Sequence, residues 1–582
     1  MSRLGWMALA ATVAVLPVLT ANTYYLYVAI SAGLLTVVTA GLNVLVGFSG
    51  QMSLGHAGFY AIGAYTAALL TVRAGWNPWL AVFVAILLSA LVGAGVAGAA
   101  LRVSGPYLAM VTIAFGIIVE GILVEWVSVT GGPGGVFNIP KPSLFRSYWI
   151  VMGAAALALW LARNLRRAAW GRAFLAVRGS EVAAESLGLS AYYVRIMAFT
   201  VSAGFAGAAG GMFTFVNGYV SPDSFTLQTS ILFLLALLFG GEGTVAGPAI
   251  GSLVLTGLPE LLTSLADYRL ILYGGLLMCS IYWLPTGVVG ALRKAGAGHS
   301  AAGRLPARDA SAASEWLDRH GDSAIEGKKA PLQVEDVSLS FGGVAALADV
   351  SVAIPARGIH AVIGPNGAGK TTLLNALSGY YTPDAGIIRL DGRAITGRPP
   401  YAIARRGVAR TFQTAQVFGD LSVLENVAVG VAGPRLDGVI PALLGLPWSR
   451  RKEAKTRRTA LALLESAGLT HWADRQADAL PSGLRRRLEI VRALARRPRF
   501  LLLDEPAAGL SPTEIKELDA HLTALAHDGG PAIVLVEHHM DLVMAVSDQI
   551  SVLDYGRVIA SGTPEAVRSH PAVIEAYLGA AT

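Results

Sequence analysis

The sequence predicts two domains of different class: a helical domain that lives in a bilayer, followed by an α/β domain that holds a nucleotide. Three observations predict it. Only 20 of the 83 charged side chains fall in residues 1–290, where long apolar runs repeat. The motif Gly364-Pro365-Asn366-Gly367-Ala368-Gly369-Lys370-Thr371-Thr372 follows the apolar strand Ile359–Ile363 and opens a helix over 371–377, the context that makes such a glycine loop a phosphate cradle. Further on, the apolar strand Phe500–Leu503 ends in Asp504-Glu505. A half with so little charge lacks the polar cover of a soluble surface and belongs in lipid.

The candidate spans are Trp6–Leu19, Tyr24–Val46, Leu54–Val72, Trp79–Leu101, Pro106–Ser128, Trp149–Ala162, Val194–Val216, Thr229–Leu262 and Tyr268–Leu284. Several match the roughly 20 residues needed to cross a hydrocarbon core of roughly 30 Å. The first has Arg3 alone as a preceding charge and further spans follow it, so it reads as an anchor helix rather than a cleaved signal. Arg163, Arg166, Arg167, Arg172, Arg178 and Arg195 crowd one loop against Glu181 and Glu185. By the positive-inside rule that loop is cytoplasmic. The nucleotide domain must be cytoplasmic too, so an even number of crossings separates Arg195 from residue 290. Three runs are visible there, and one must be broken.

The break is legible at Gly240-Gly241-Glu242-Gly243-Thr244-Val245-Ala246-Gly247-Pro248. Its first arm, Ile231–Phe239, has about half the length of a crossing, so two short or re-entrant half-helices are expected. Non-helical backbone at membrane depth is tolerated only where protein or a watery cavity satisfies it, which places such breaks beside a substrate path. A flexible loop between ordinary spans is the alternative. A second glycine-rich interruption, Gly47–His56, offers Ser49, Gln51, Ser53 and His56 as uncharged polar candidates for that path. His56 reads equally well as a satisfied packing residue. Glu120, inside the run Pro106–Ser128, is costly in lipid and is a further candidate; Glu125 sits nearer the interface.

Residues 291–330 turn rich in Ala, Gly, Ser and Arg without apolar periodicity, which marks a linker between a domain at 1–290 and one at 331–582. The single Cys279 excludes an intrachain disulfide and a cysteine metal site. The net charge of +7 comes partly from the membrane half, 12 basic against 8 acidic residues, and is not read as nucleic-acid binding.

In the second domain the backbone N–H groups of the glycine loop and the helix that follows cradle phosphates, Lys370 supplies charge and Thr371 a magnesium-binding hydroxyl. The strand end places Asp504 to hold the metal and Glu505 to polarise water. A helix-capping pair is the alternative for these two carboxylates.

Residues 332–580 resemble the ATPase subunit of ABC transporters, by the order of their motifs. Thr411-Phe412-Gln413 is similar to the Q-loop, which implies that Gln413 senses magnesium and the membrane partner. Val536-Glu537-His538 resembles the switch segment, with His538 reaching the γ-phosphate. Pro506-Ala507-Ala508-Gly509-Leu510 resembles the D-loop, and Phe341 lies where the family stacks an aromatic ring on adenine. The signature departs: the family reads LSGGQ, this chain Leu480-Pro481-Ser482-Gly483-Leu484. Proline lacks both the hydroxyl and the backbone N–H of the usual serine, and Leu484 is apolar, which leaves Ser482 and Gly483 as signature donors. In that family each site is composite, so this chain's own loop would fire while its partner's site is impaired, and a different ATPase is the expected partner. The alternative is that Gly483 and the helix dipole suffice.

The first half resembles the permeases of branched-chain amino-acid importers, in Leu42–Tyr65, Thr130–Gly135, Gly171–Leu189 and 191–262. Within it Glu181-Val182-Ala183-Ala184-Glu185-Ser186-Leu187-Gly188 looks like the importer coupling helix, with Glu181, Ala184 and Gly188 as its marker residues, expected to dock near Gln413. The resemblance implies a membrane α-helical permease domain fused to an α/β P-loop ABC ATPase domain in the bacterial inner membrane. ATP and Mg2+ are the implied cofactors. The implied partners are a second permease, a second ABC ATPase, a periplasmic substrate-binding protein and the lipid bilayer, with no nucleic acid. The cargo would be a branched-chain amino acid or a related small polar molecule. An ABC exporter half-transporter, or an ATP-gated membrane sensor with a degenerate signature, is the alternative.

Overall fold

The computed structural model describes residues 23–101, 105–261, 282–296, 330–434, 436–508, 512–527 and 530–578, together with Ile271, Gly274, Gly275 and Met278. The run Trp6–Leu19, most of Tyr268–Leu284 with Cys279, most of the linker and Gly509-Leu510 lie outside the described residues. The chain divides into two compact units, one of Met1–Phe174, Tyr192–Ala301 and Asp437–Leu446, the other of Leu175–Ala191, Ala302–Leu436 and Pro447–Thr582.

The first unit is helical. Its elements are α1 (Thr23–Leu42), which runs on into a π-helical turn at Asn43–Phe48, α2 (His56–Val72), α3 (Pro78–Ala100), α4 (Pro106–Glu125) and α5 (Leu144–Arg167). The chain continues through α6 (Ala169–Gly179) and α7 (Glu181–Ser186) to α8 (Ala191–Asn217), α9 (Leu227–Gly240), α10 (Gly247–Leu261) and α11 (Gly287–Gly296). Six helices among the described residues are long and apolar enough to cross a membrane. Small residues let them approach closely, as lipid-embedded interfaces require. A methyl added at Gly63 on α2 would collide with the backbone of Gly207 on α8, and one at Gly210 with the carbonyl of Tyr60. On α1, a methyl at Gly33 would strike Val151 and Met152 of α5.

Three expectations are corrected. The sixth candidate span, Trp149–Ala162, extends at both ends as α5, to Leu144 and Arg167. The basic stretch is therefore no single loop: Arg163, Arg166 and Arg167 ride on α5, and Arg172 and Arg178 on α6. A hydropathy reading stops at the first arginine, whereas backbone hydrogen bonding does not. The broken run does break after Gly240, but its first arm begins at Leu227 and has 14 residues, and the 3₁₀ turn Pro222–Phe225 precedes it. With that turn it counts as a 19-residue candidate span. Gln228, Thr229 and Ser230 hid its start, and one of them has a packing reason: Ser230 Oγ accepts the Ala57 N–H at 2.9 Å, satisfying an orphan donor in the first turn of α2.

The second unit holds two sheets. One is antiparallel, in the order β2-β1-β4-β5, with β1 at Leu332–Phe341, β2 at Val344–Ile354, β4 at Ala385–Leu390 and β5 at Arg393–Ala394. The other runs β10-β9-β3-β8-β7-β6, with β6 at Val408–Arg410, β9 at Gln549–Asp554 and β10 at Arg557–Gly562, and β3 (Ile359–Ile363), β7 (Phe500–Asp504) and β8 (Ala532–Val536) pair in parallel at its centre. Every residue of these three strands is buried, which explains their nearly continuous apolar sequences, interrupted by His360 on β3 and closed by Asp504 on β7. Their carboxyl ends deliver Gly364, Asp504 and Glu537 to one edge, where open parallel sheets bind ligands. The helices that matter below are α12 (Lys370–Ser378), α13 (Pro400–Arg405), α14 (Val423–Ala432), α15 (Val439–Leu444), α16 (Pro447–Ser466) and α17 (Ser482–Leu494).

Candidate nucleotide site and membrane polar cluster

The glycine loop joins β3 to α12. Gly369 lies at φ +99°, and an added methyl there would run into the Ala346 carbonyl, so only glycine fits. Asn366, Gly367 and Thr371 are exposed, leaving the cradle and the hydroxyl accessible, while Ala368 and Lys370 are buried and Pro365 and Thr372 partly so. Lys370 Nζ donates to the carbonyls of Gly364 (2.8 Å) and Pro365 (2.9 Å). Burial holds its ammonium below the ordinary value, and the charges of Glu505 and Asp504 oppose that shift.

Asp504 and Glu505 face different surroundings. Asp504 is 2% exposed and accepts Arg410 Nη2 on Oδ2 at 3.1 Å; burial raises its pKa and Arg410 counters this. Its Oδ1 is buried with no hydrogen-bond partner among the described residues. The orphaned oxygen of Asp504 at the strand edge and the exposed Thr371 hydroxyl at the start of α12 are hard oxygen donors of the kind Mg2+ takes. Glu505 is a non-glycine residue at φ +46°. Its Oε2 accepts Gln413 Nε2 at 3.0 Å and lies 3.9 Å from His538 Nδ1. The structure thus brings Gln413, Glu505 and His538 together. Phe341 is exposed at the end of β1, its ring 5.0 Å from that of Tyr381.

Several functional groups were missed. Glu537, fully buried, accepts the N–H groups of Ala507 (2.7 Å), His538 (2.9 Å) and His539 (3.3 Å), fixing the switch segment to the strand edge. Arg410 bonds Asn375 and Ser378 of α12 as well as Asp504. An arginine closing a short, otherwise apolar strand, β6, was the available signal. At the signature, Pro481 caps α17, Ser482 is exposed, Gly483 is partly exposed, and Leu484 packs against the apolar cluster of α14, α16 and α17 instead of pointing outward as an amide would.

The permease-like helix α7 lies in the second unit. Ser180 caps it, accepting the Ala183 N–H at 3.2 Å, and donates to Gln416 Oε1 at 3.1 Å. Tyr380 donates its hydroxyl to the Val182 carbonyl at 2.6 Å, and Arg405 of α13 its Nε to the Gly188 carbonyl at 2.9 Å. Glu181 lies in the first turn of α7, and Ala184 is buried. The docking neighbour is Gln416, three residues beyond Gln413. Reciprocally, α15 belongs to the first unit, where Asn164 Nδ2 donates to the Leu443 carbonyl at 3.0 Å and Trp170 Nε1 to that of Asp437 at 2.5 Å.

In the first unit the two glycine-rich breaks meet. Asn43, fully buried, donates to the Thr244 carbonyl and accepts the Gly243 N–H, both at 2.8 Å. Gln51 donates to Ser49 Oγ; Ser53 Oγ lies 2.8 Å from His56 Nδ1, and His56 Nε2 lies 2.7 Å from Ser202 Oγ. Ser49, Gln51, Ser53 and His56 are all buried. Glu120, on α4, is partly exposed and makes no hydrogen bond with them among the described residues.

Known families match both halves. Residues 24–281 match the permease component of branched-chain amino acid transport systems, 347–508 the ABC transporter family, and 557–582 the branched-chain amino acid ATP-binding cassette transporters. The high-affinity branched-chain amino acid transport ATP-binding protein BraF of Pseudomonas aeruginosa is 43% identical, over 43% of this chain and 98% of that protein. The permease protein LivM of the high-affinity branched-chain amino acid transport system of Salmonella typhimurium is 38% identical, over 43% of this chain and 66% of that protein. A crystal structure of a nucleotide-free ATP-binding cassette from an ABC transporter is 32% identical, over 43% of this chain and 99% of that one, with a TM-score of 0.38.

The sheet edge with its glycine loop and acidic strand end, joined in one chain to apolar spans, defines an ATP-hydrolysing ABC transporter subunit, a multi-pass membrane protein whose ATPase domain is cytoplasmic. More narrowly, the chain belongs to the branched-chain amino acid transport family and carries permease and ATP-binding subunit in a single polypeptide.

Proposed function

We propose that this chain imports branched-chain amino acids, or small polar molecules akin to them, at the expense of ATP. It would do so with a second permease, a second ABC ATPase and a periplasmic substrate-binding protein. The observation that carries the reading is α7: a segment of the permease match is held by Gln416, Tyr380 and Arg405 of the ATPase unit. An exporter finds no support in the permease match, and Glu505 and His538 at one edge oppose a purely structural use of ATP.

The roles follow from position. Phe341 stacks on adenine, and the N–H groups from Gly364 to Thr372 hold the phosphates with Lys370. Thr371, Asp504 and Gln413 would hold Mg2+, which neutralises phosphate charge when bound. Glu505, oriented by Gln413, takes the proton of the attacking water, and His538 bears on the γ-phosphate. Ser482 and Gly483 face the partner's loop. Glu181, Ala184 and Gly188 transmit the motion through α7. Ser49, Gln51, Ser53 and His56 line the substrate path beside the joined breaks, with Glu120 as an outlying candidate.

Uptake of radiolabelled leucine into vesicles carrying the co-purified complex tests the reading. Binding-protein-dependent, ATP-dependent accumulation that vanishes in Glu505→Gln is expected. Accumulation of leucine without ATP, or ATP turnover that no amino acid stimulates, would overturn it.

A further inference from the structure

We propose that Arg486 is a positioning residue that couples the α7 docking segment to the hydrolytic carboxylate. The inference rests on the ATPase reading. Arg486 lies on α17, one turn past the altered signature, and is 5% exposed. Its Nη1 donates to the Phe412 carbonyl and to Glu489 Oε2 (3.0 Å), and its Nη2 to the carbonyls of Gln413 (2.5 Å) and Glu505 (3.2 Å). Gln413 in turn donates its side-chain amide to Glu505 Oε2. Arg486, Gln413 and Glu505 therefore close a ring of three hydrogen bonds.

The same helix face grips the rest of the segment. Glu489 Oε1 accepts the N–H groups of Phe412 (3.3 Å) and Gln416 (3.1 Å). Arg492 donates Nη2 to the Gln416 carbonyl at 2.5 Å and lies 4.4 Å over the Phe418 ring. Residues 486, 489 and 492 recur at helical spacing, so one rigid stripe holds 412–418. Gln416 is also the residue that Ser180 of the docking helix touches. A displacement felt at Gln416 is thus carried by the α17 stripe to Arg486. From there it reaches the carbonyl and, through Gln413, the carboxylate of Glu505. Only a guanidinium fork has the donors for this: the three N–H groups of a lysine cannot hold three carbonyls and a carboxylate at once.

The test compares Arg486→Lys, Gln413→Ala and their combination in the full chain, purified with its co-purifying subunits in lipid nanodiscs. ATP turnover is read against ATP concentration. Arg486→Lys is expected to lower kcat ~10-fold to 100-fold, the scale of a small misplacement of a catalytic group, with KM for ATP nearly unchanged. The double variant is expected to be no slower than the slower single one, because both break the same ring. Unchanged kcat, or losses that multiply, would overturn the proposal. Arg486→Gln/Glu489→Gln removes both buried charges together and is expected to show the same loss; recovery of wild-type kcat there would reduce Arg486 to a counter-charge and overturn it as well. Failure of the underlying ATPase reading is distinct, since the wild-type complex would then show no turnover.

Discussion

At Glu505 the backbone itself is informative. A glutamate at φ +46° costs on the order of 1–3 kcal/mol and persists only where its surroundings hold it. Here the Glu505 N–H donates to the Val536 carbonyl at 2.9 Å and its own carbonyl takes Arg486. Glu505→Gln keeps this geometry and removes the base. Phosphate release is expected to fall about 10²-fold to 10⁴-fold, with binding of a fluorescent ATP analogue retained. His360 makes a second residue-scale prediction. It is buried on β3, its Nε2 3.0 Å from Ser551 Oγ, and burial pushes its pKa from 6.5 down to about 4. The unfolded chain takes up this proton first, so the stability linked to His360 is full above about pH 6.5 and is lost as pH falls toward 4. A shift of that size corresponds to about 3 kcal/mol. Hydrogen exchange at the β3 amides of the full chain should accelerate through this window beyond the intrinsic rate change, and His360→Gln should remove the excess.

On the proposed reading, helix α7 and the paired glycine breaks are the elements that coupling would use. Ser180→Ala removes an N-cap worth ~1 kcal/mol and the bond to Gln416. ATP turnover is expected to persist while amino acids moved per ATP fall several-fold, as measured by parallel uptake and phosphate release in proteoliposomes. Asn43 clasps Gly243 and Thr244 with both ends of its amide. Its replacement by Ala leaves the half-buried Gly243 N–H and Thr244 carbonyl unpaired, at a cost toward the lower end of about 1–3 kcal/mol each. How much was legible in the sequence follows from how each element is specified. The glycine loop and Asp504-Glu505 could be read because phosphate chemistry ties residue types to local spacing, whereas His538 was legible only through the family resemblance of Val536-Glu537-His538. The break after Gly240 could be read because glycine and proline punctuate an apolar run. The ends of α5 and α9 could not, since arginines on a cytoplasmic extension and a Ser230 that caps another helix look like loop in a hydropathy pattern. The Arg486 ring could not either: its acceptors at 412, 413 and 505 come together only through the sheet order.

On the scale of the whole molecule the altered signature matters most. With proline at the α17 N-cap and Leu484 packed against the apolar cluster, Ser482 and Gly483 are the residues this chain would offer to a facing loop on the proposed reading. If the sites are composite, restoring Pro481→Ser/Ser482→Gly/Leu484→Gln should raise the turnover of the assembled complex, and unchanged turnover would place both working sites elsewhere. Native mass analysis of the complex should find one copy of this chain with a distinct permease and a distinct ATPase. The exchange of segments between the two units also has a consequence for biosynthesis. Ser180 and Gln416 are 236 residues apart in the chain. At ribosomal speeds of about 5–20 residues per second, α7 waits roughly ten to fifty seconds for the surface that receives it. Over that interval the growing chain carries α7 without the residues that hold it in the finished fold, which leaves the segment open to chaperones and proteases.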